Sequence, residues 1–139
     1  MRRSNHYEAA FEDLLRAKGL PYVAVDETKR ALFASARLKS FDFLVYLPDR
    51  PNLLVDVKGR KARGGRRAWS FDAWVGREDL DALKRWEEVF GPGFSAVLVF
   101  AFELANLEHV SLFEAYHFRG GYYRFFLLSL ADYLAHCRP

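Results

Sequence analysis

Phe41-Asp42-Phe43-Leu44-Val45-Tyr46-Leu47-Pro48-Asp49-Arg50-Pro51-Asn52-Leu53-Leu54-Val55-Asp56-Val57-Lys58, residues 41–58, is two apolar runs joined by a polar, proline-containing break. Proline donates no backbone hydrogen bond and the residues around it favour turns, so the stretch predicts a hairpin. Successive strand side chains point to opposite faces. Phe41, Phe43, Val45 and Leu47 on one strand and Leu53, Val55 and Val57 on the other form purely apolar sets. Burying those sets together fixes the parity of the pairing, because a slip of one residue would turn carboxylates into the core. Asp42, Asp56 and Lys58 then share the other face. A turn centred near Arg50 sets Asp42 opposite Lys58, with side-chain roots about 5 Å apart. Asp56 and Lys58 follow each other along their strand at about 7 Å.

Three charges beside apolar strands carry a desolvation cost unless something compensates it. A divalent cation does so. Magnesium takes hard oxygen ligands, commonly one or two carboxylates with waters and substrate phosphate oxygens. A neighbouring lysine can then orient an attacking water and face the charge that develops on phosphorus oxygens. This is the chemistry of phosphodiester hydrolysis with Mg2+ or Mn2+. The tripeptide acid-x-Lys alone is uninformative, since a chain of 139 residues with 18 acidic ones is expected to hold about one by chance. Glu27-Thr28-Lys29 is a second match, read as a decoy because no aspartate-bearing strand precedes it. The plain alternative for Asp56 and Lys58 is an exposed ion pair at a strand end, of little energetic weight.

Upstream, Tyr7, Ala10, Phe11, Leu14 and Leu15 follow helical spacing to a stop at Gly19, and Tyr22 to Val25 is a short β-rich run. Residues from Asp26 to Arg37 carry no clear pattern. Downstream, Leu80, Leu83, Trp86 and Phe90 mark a second amphipathic helix ending at Gly91-Pro92-Gly93. Phe94 to Phe102 is nearly continuous in apolar residues, as expected of a strand covered on both faces. Tyr116 to Phe118 and Tyr122 to Leu128 flank Arg119-Gly120-Gly121 as a further hairpin, and a last helix follows from about Leu130 to His136. The order implies an α/β fold, a mixed sheet flanked by helices.

Length and composition agree with one domain: 51% hydrophobic and 17% aromatic residues supply a packed core. One cysteine, Cys137, excludes an internal disulfide and any multi-cysteine zinc site, and suits a reducing cytoplasm. The opening residues lack the apolar core of a signal peptide, and no run is long and uncharged enough to span a membrane. A soluble cytoplasmic protein is expected. Net charge is only +3, yet Arg60, Lys61, Arg63, Arg66 and Arg67 concentrate positive charge directly after Lys58. Such a segment is either a solvated loop or a footprint for a phosphate backbone. Trp69, beside it, is the better candidate for stacking on a base, whereas Trp86 lies on the apolar stripe of its helix and reads as core.

On the first helix, spacing brings Glu8 nearer the buried stripe than Glu12, so Glu8 can reach the rim of the site as a third carboxylate, or sit on a solvated flank. His6, beside it, either assists or is merely exposed. His109, His117 and His136 have no motif partners.

Helix with Glu, strand with Asp, partner strand with acid-x-Lys, helix, strand: this arrangement resembles the PD-(D/E)xK nuclease superfamily. The matching segments are Tyr7-Glu8-Ala9-Ala10-Phe11-Glu12, Ser40-Phe41-Asp42-Phe43 and Val55-Asp56-Val57-Lys58, with Phe41 in place of the proline. The superfamily includes type II restriction endonucleases and archaeal Holliday-junction resolvases. The opening His6-Tyr7-Glu8-Ala9-Ala10-Phe11-Glu12 is also similar to that of the bacterial HYExAFE proteins. The resemblance implies a restriction-endonuclease-like αβββαβ core over about residues 6–103. Residues 104–139, a C-terminal hairpin and helix, are an elaboration of the same domain. It further implies Asp42, Asp56, Glu8 and the Val57 backbone carbonyl as metal ligands and Lys58 as the catalytic lysine.

The expected activity is metal-dependent cleavage of nucleic acid, DNA rather than RNA, with Arg60, Lys61, Arg63, Arg66, Arg67 and Trp69 contacting it. So short a chain leaves little room for a sequence-reading domain, which favours structure-selective or nonspecific cleavage and a homodimer. The rivals are an inactive nucleic-acid-binding protein that keeps the fold, and a partner-binding module using the aromatic C-terminal third.

Overall fold

The computed structural model describes residues 5–25, 39–61, 74–104 and 115–136, together with the backbone of 63–64 and 69–70. Helix α1 spans His6–Ala17; the Asn5 side chain accepts from the N–H groups of Tyr7 and Glu8 and so caps its first turn. Gly19, at φ 67°, takes the left-handed conformation that ends it. Strand β1 (Tyr22–Ala24), β2 (Phe43–Val45) and β3 (Asn52–Lys61) follow, then a two-stranded ribbon of β4 (Arg63–Gly64) and β5 (Trp69–Ser70). Helix α2 spans Arg77–Phe90, β6 Phe94–Glu103, β7 Tyr116–Phe118, β8 Gly121–Ser129 and α3 Leu130–His136.

Six strands form one sheet in the order β1-β2-β3-β6-β8-β7. Strands β3 and β6 pair in parallel, joined through α2, and every other pair in that sheet is antiparallel. The β7–β8 hairpin therefore extends the same sheet as β1, β2, β3 and β6, through the pairing of β8 with β6. Alternation along the strands divides the core in two. Val55, Val57, Val97, Val99 and Ala101 face α1 through Phe11 and Leu15. Leu54, Leu98, Phe100 and Phe102 face α2 and α3 through Leu80, Leu83, Trp86, Leu130 and Tyr133. With a helix on each face, β6 is buried along seven consecutive residues, which explains its continuous apolar sequence.

Two expectations about the hairpin need correction. Phe43 pairs with Val55 and Val45 with Leu53, so the turn centres at Asp49 and the ladder runs Asp42 toward Asp56, not toward Lys58. The shared parity of the three charges is unaffected. Nor does Phe41 lie with Phe43: it packs edge-on against Trp86 and Phe90, on the α2 side. The chain bends at Asp42, whose N–H bonds the Val55 carbonyl at 2.8 Å, out of step with the regular ladder. That bend lets consecutive odd residues face opposite cores. Among the described residues no helix is long and apolar enough to cross a membrane.

Candidate active site

Strand β2 stops at Phe43 while β3 continues through Lys61, leaving one edge of β3 without a β2 partner beyond Val55. Asp42 fills the start of that edge: its Oδ2 accepts the Val57 N–H at 2.7 Å. The N–H and C=O of one strand residue point the same way, so the Val57 carbonyl also leaves β3 on the side of Asp42. Asp56, only 9% exposed, lies beside the Asp42 carboxyl, close enough for charge and hydrogen bonding to act between the two. Burial, then the negative charge and hydrogen bond of Asp56, then the charge of Glu8 push the Asp42 carboxyl up to about 9, against a smaller opposing pull from the Val57 N–H. Crowding of like charge therefore favours a proton held between the two carboxyls.

Asp56, Lys58 and Arg60 alternate onto the α2 face of β3. The Lys58 ammonium lies 3.1 Å from Asp56 Oδ2 and 2.6 Å from Asp79 Oδ2. Burial alone would lower its proton affinity; the charge of Asp56 and the bonds to both carboxylates outweigh that and raise it. Asp79, in the first turn of α2, also bonds Lys39 at 3.0 Å. Burial raises its carboxyl, but the bonds and charges of Lys58 and Lys39 prevail and hold it below the ordinary carboxylate value. Lys39 is placed in turn by the Trp86 indole N–H, which donates to the Lys39 carbonyl at 2.7 Å. A core tryptophan thus anchors the outer end of the charge chain.

Glu8 stands on α1, across the sheet from α2, half-buried, and its charge is felt at Asp42. The helical-stripe expectation that Glu8 lies deeper than Glu12 is reversed: Glu12 is 9% exposed and bound by Tyr22 Oη at 2.8 Å and Arg16 at 3.4 Å. Spacing alone missed this because Tyr22, on β1, covers that flank. The start of α1 is held close to β3 by Gly59, where an added Cβ would sit 2.0 Å from the Tyr7 ring. His6 is engaged by Tyr123 Oη at 2.9 Å. His117 stacks on Tyr122, and His109 lies outside the described residues.

Of the basic segment, Arg60 is partly buried and Lys61 exposed. Arg60 bonds the carbonyls of Gly59 and Trp74, at 2.9 and 3.0 Å. Arg66, Arg67 and the Glu27-Thr28-Lys29 tripeptide lie outside the described residues; of Arg63 and Trp69 only the backbone, in the β4–β5 ribbon, is described.

The donor set suits a hard divalent cation. Two carboxyl groups, one forced to hold a proton, converge beside a backbone carbonyl, and a dication in place of that proton would relieve the crowding of like charge. Among the described residues no three acidic, histidine or cysteine side chains form a ready-made cage, so substrate and water would complete the shell. Asp79, Lys39 and Gly59 were missed by the sequence reading. Glycine inside a strand was the available signal for Gly59; Asp79 and Lys39 are made visible only by the packing of α2.

Neither protein-family models nor curated protein sequences give a match to this chain. Among solved structures it is similar to Hjc, a Holliday junction resolvase from the archaeal hyperthermophile Archaeoglobus fulgidus. The TM-score is 0.50 at 13% identity, covering 96% of this chain and 93% of the other. The likeness is one of fold: a mixed α/β, restriction-endonuclease-like architecture of the resolvase type.

Proposed function

We propose that this chain is a divalent-metal-dependent nuclease acting on DNA, with structure-selective or nonspecific cleavage. The observation that carries the reading is the approach of the Asp42 carboxyl, held on the Val57 N–H, to the buried Asp56 at the open edge of β3, one side-chain step from Lys58. Two acids with one proton between them are an expensive arrangement for a core and a suitable one for a cation. Asp42, Asp56 and the Val57 carbonyl would hold Mg2+ or Mn2+, with Glu8 as an auxiliary ligand from the other face. When bound, the ion supplies Lewis-acid stabilisation of a phosphodiester and a more acidic water. Lys58, held between Asp56 and Asp79, orients the nucleophilic water and faces the charge that grows on the phosphorus oxygens. Arg60, Lys61 and the segment after them anchor the phosphate backbone. The fold likeness to a Holliday junction resolvase supports branched DNA as a substrate to try first; a homodimer is the assembly proposed for so short a chain.

The test is a cleavage panel of single-stranded, duplex, flap and four-way-junction DNA, with RNA alongside, in Mg2+ and in Mn2+. Metal-dependent cleavage that disappears in Asp56→Asn is expected. No cleavage of any substrate in either metal, by a protein that binds the metals, would reject the enzyme in favour of a binding module on the same fold.

A further inference from the structure

We propose that Trp74 is a stacking platform for an unpaired nucleobase, so that this site takes strands with an unstacked nucleotide beside the attacked phosphate. The inference rests on the nuclease reading for its ligand class and on separate geometry for its detail. Trp74 is 65% exposed, the most exposed of the large apolar side chains among the described residues. An indole left in water is a cost that folding normally avoids.

This one is also held in place. The Arg60 guanidinium lies 5.3 Å from the ring centroid, and its Nη2 donates to the Trp74 carbonyl. The next residue, Val75, is 1% exposed, and its N–H donates to the buried Tyr133 hydroxyl at 2.9 Å. Backbone and ring are thus fixed from two sides. A preorganised ring loses little freedom on binding, which is where exposed aromatic anchors gain their affinity.

Its position indicates the occupant. Arg60 follows Lys58 by two residues on β3, on the same face, about 7 Å along the strand. The ring is therefore attached to the cationic side of the Asp56–Lys58 row. Arg60 against the ring, exposed Lys61 next to Arg60 and exposed Arg77 three residues along the chain from Trp74, with the exposed acid Glu78 beyond it, suit a polyanion better than an apolar protein surface. Inside a duplex each base face is covered by its neighbours. Only a flap, branch, loop or single strand presents a free face, and base–aromatic stacking is tolerant of sequence.

The test uses the full chain in chelator, so that nothing is cut, with a short oligothymidylate and a fully paired duplex of two complementary strands of the same length. Wild type, Trp74→Ala and Trp74→Phe are compared by binding and by tryptophan fluorescence. Oligothymidylate should quench the wild-type fluorescence. Trp74→Ala should lose about 5- to 150-fold in single-strand affinity with little change for the paired duplex, and Trp74→Phe should keep most of it. Equal single-strand affinity in Trp74→Ala and wild type would overturn the platform, as would proportional losses on both ligands, or no binding of single strands by wild type. Cleavage in Mg2+ is measured on the same samples. A protein that never cuts but shows the Trp74-dependent preference keeps the platform and loses the nuclease; one that cuts without that preference does the reverse.

Discussion

Glu12 and Asp56 are equally buried, each 9% exposed, yet they belong to different kinds of place. Glu12 is met by a phenol and a guanidinium, Tyr22 and Arg16, so its charge is answered within the fold. Asp56 has Lys58 on one side but a second carboxyl, Asp42, on the other. Burial of an acid is therefore not what distinguishes the site; acid against acid is. A core can satisfy a single carboxylate with hydrogen bonds at modest net cost, whereas two sharing a position need a proton or a cation between them.

Substitutions should separate the two places, beginning with the strongest. Asp42→Asn and Asp56→Asn are expected to abolish metal-dependent cleavage while the fold persists, since each removes an anionic ligand and nearly preserves shape. Calorimetric affinity for Mn2+ unchanged in both would remove them from the metal site. Lys58→Ala should slow single-turnover cleavage by about 100- to 1000-fold with metal affinity retained, because a protonated lysine offers the ion no lone pair. Undiminished cleavage would mean that Lys58 is not the catalytic lysine.

Gly59→Ala sharpens the account of how Glu8 is brought near. Its methyl group would meet the Tyr7 ring, and overpacking of this kind costs about 1–3 kcal/mol. Chemical denaturation should show that loss, together with weaker metal binding as the start of α1 moves off. Stability equal to wild type would mean the ring has room to give. Glu12→Gln gives the smallest effect, about 1 kcal/mol, with metal affinity untouched. A Glu12→Gln protein that bound metal poorly would erase the contrast between the two acids.

Much of the architecture was legible because strong periodicities agree with their burial. The α1 stripe, the apolar run of β6 and the glycine stop after α2 all lie where the sequence places them. Register was not legible. Parity follows from the apolar faces, but an offset of two residues preserves parity, and only the turn at Asp49 selects Asp56 as the neighbour of Asp42. The bend that carries Phe41 to the α2 side likewise depends on Trp86 and Phe90, residues distant in sequence. The same limit hid Asp79, which reaches Lys58 only because α2 crosses between two parallel strands. Trp74, unlike Trp86, lies before its helix rather than on the apolar stripe, and its exposure follows from tertiary structure alone.

The paired acids make one quantitative demand. The Asp42 carboxyl rises from 3.8 in the unfolded chain to about 9 in the fold. Its contribution therefore favours the folded state below about pH 4 and is lost progressively as pH rises toward about 9. A dication that occupies the pair must displace the shared proton, so binding should strengthen with pH across that window. Titrating Mn2+ into the protein at neutral pH, in buffers of different ionisation enthalpy, measures this directly. The release of about one proton per bound ion, abolished in Asp42→Asn, is the predicted result. Binding with no proton released, or no binding at all, would contradict the assignment of Asp42 and Asp56 as a metal site.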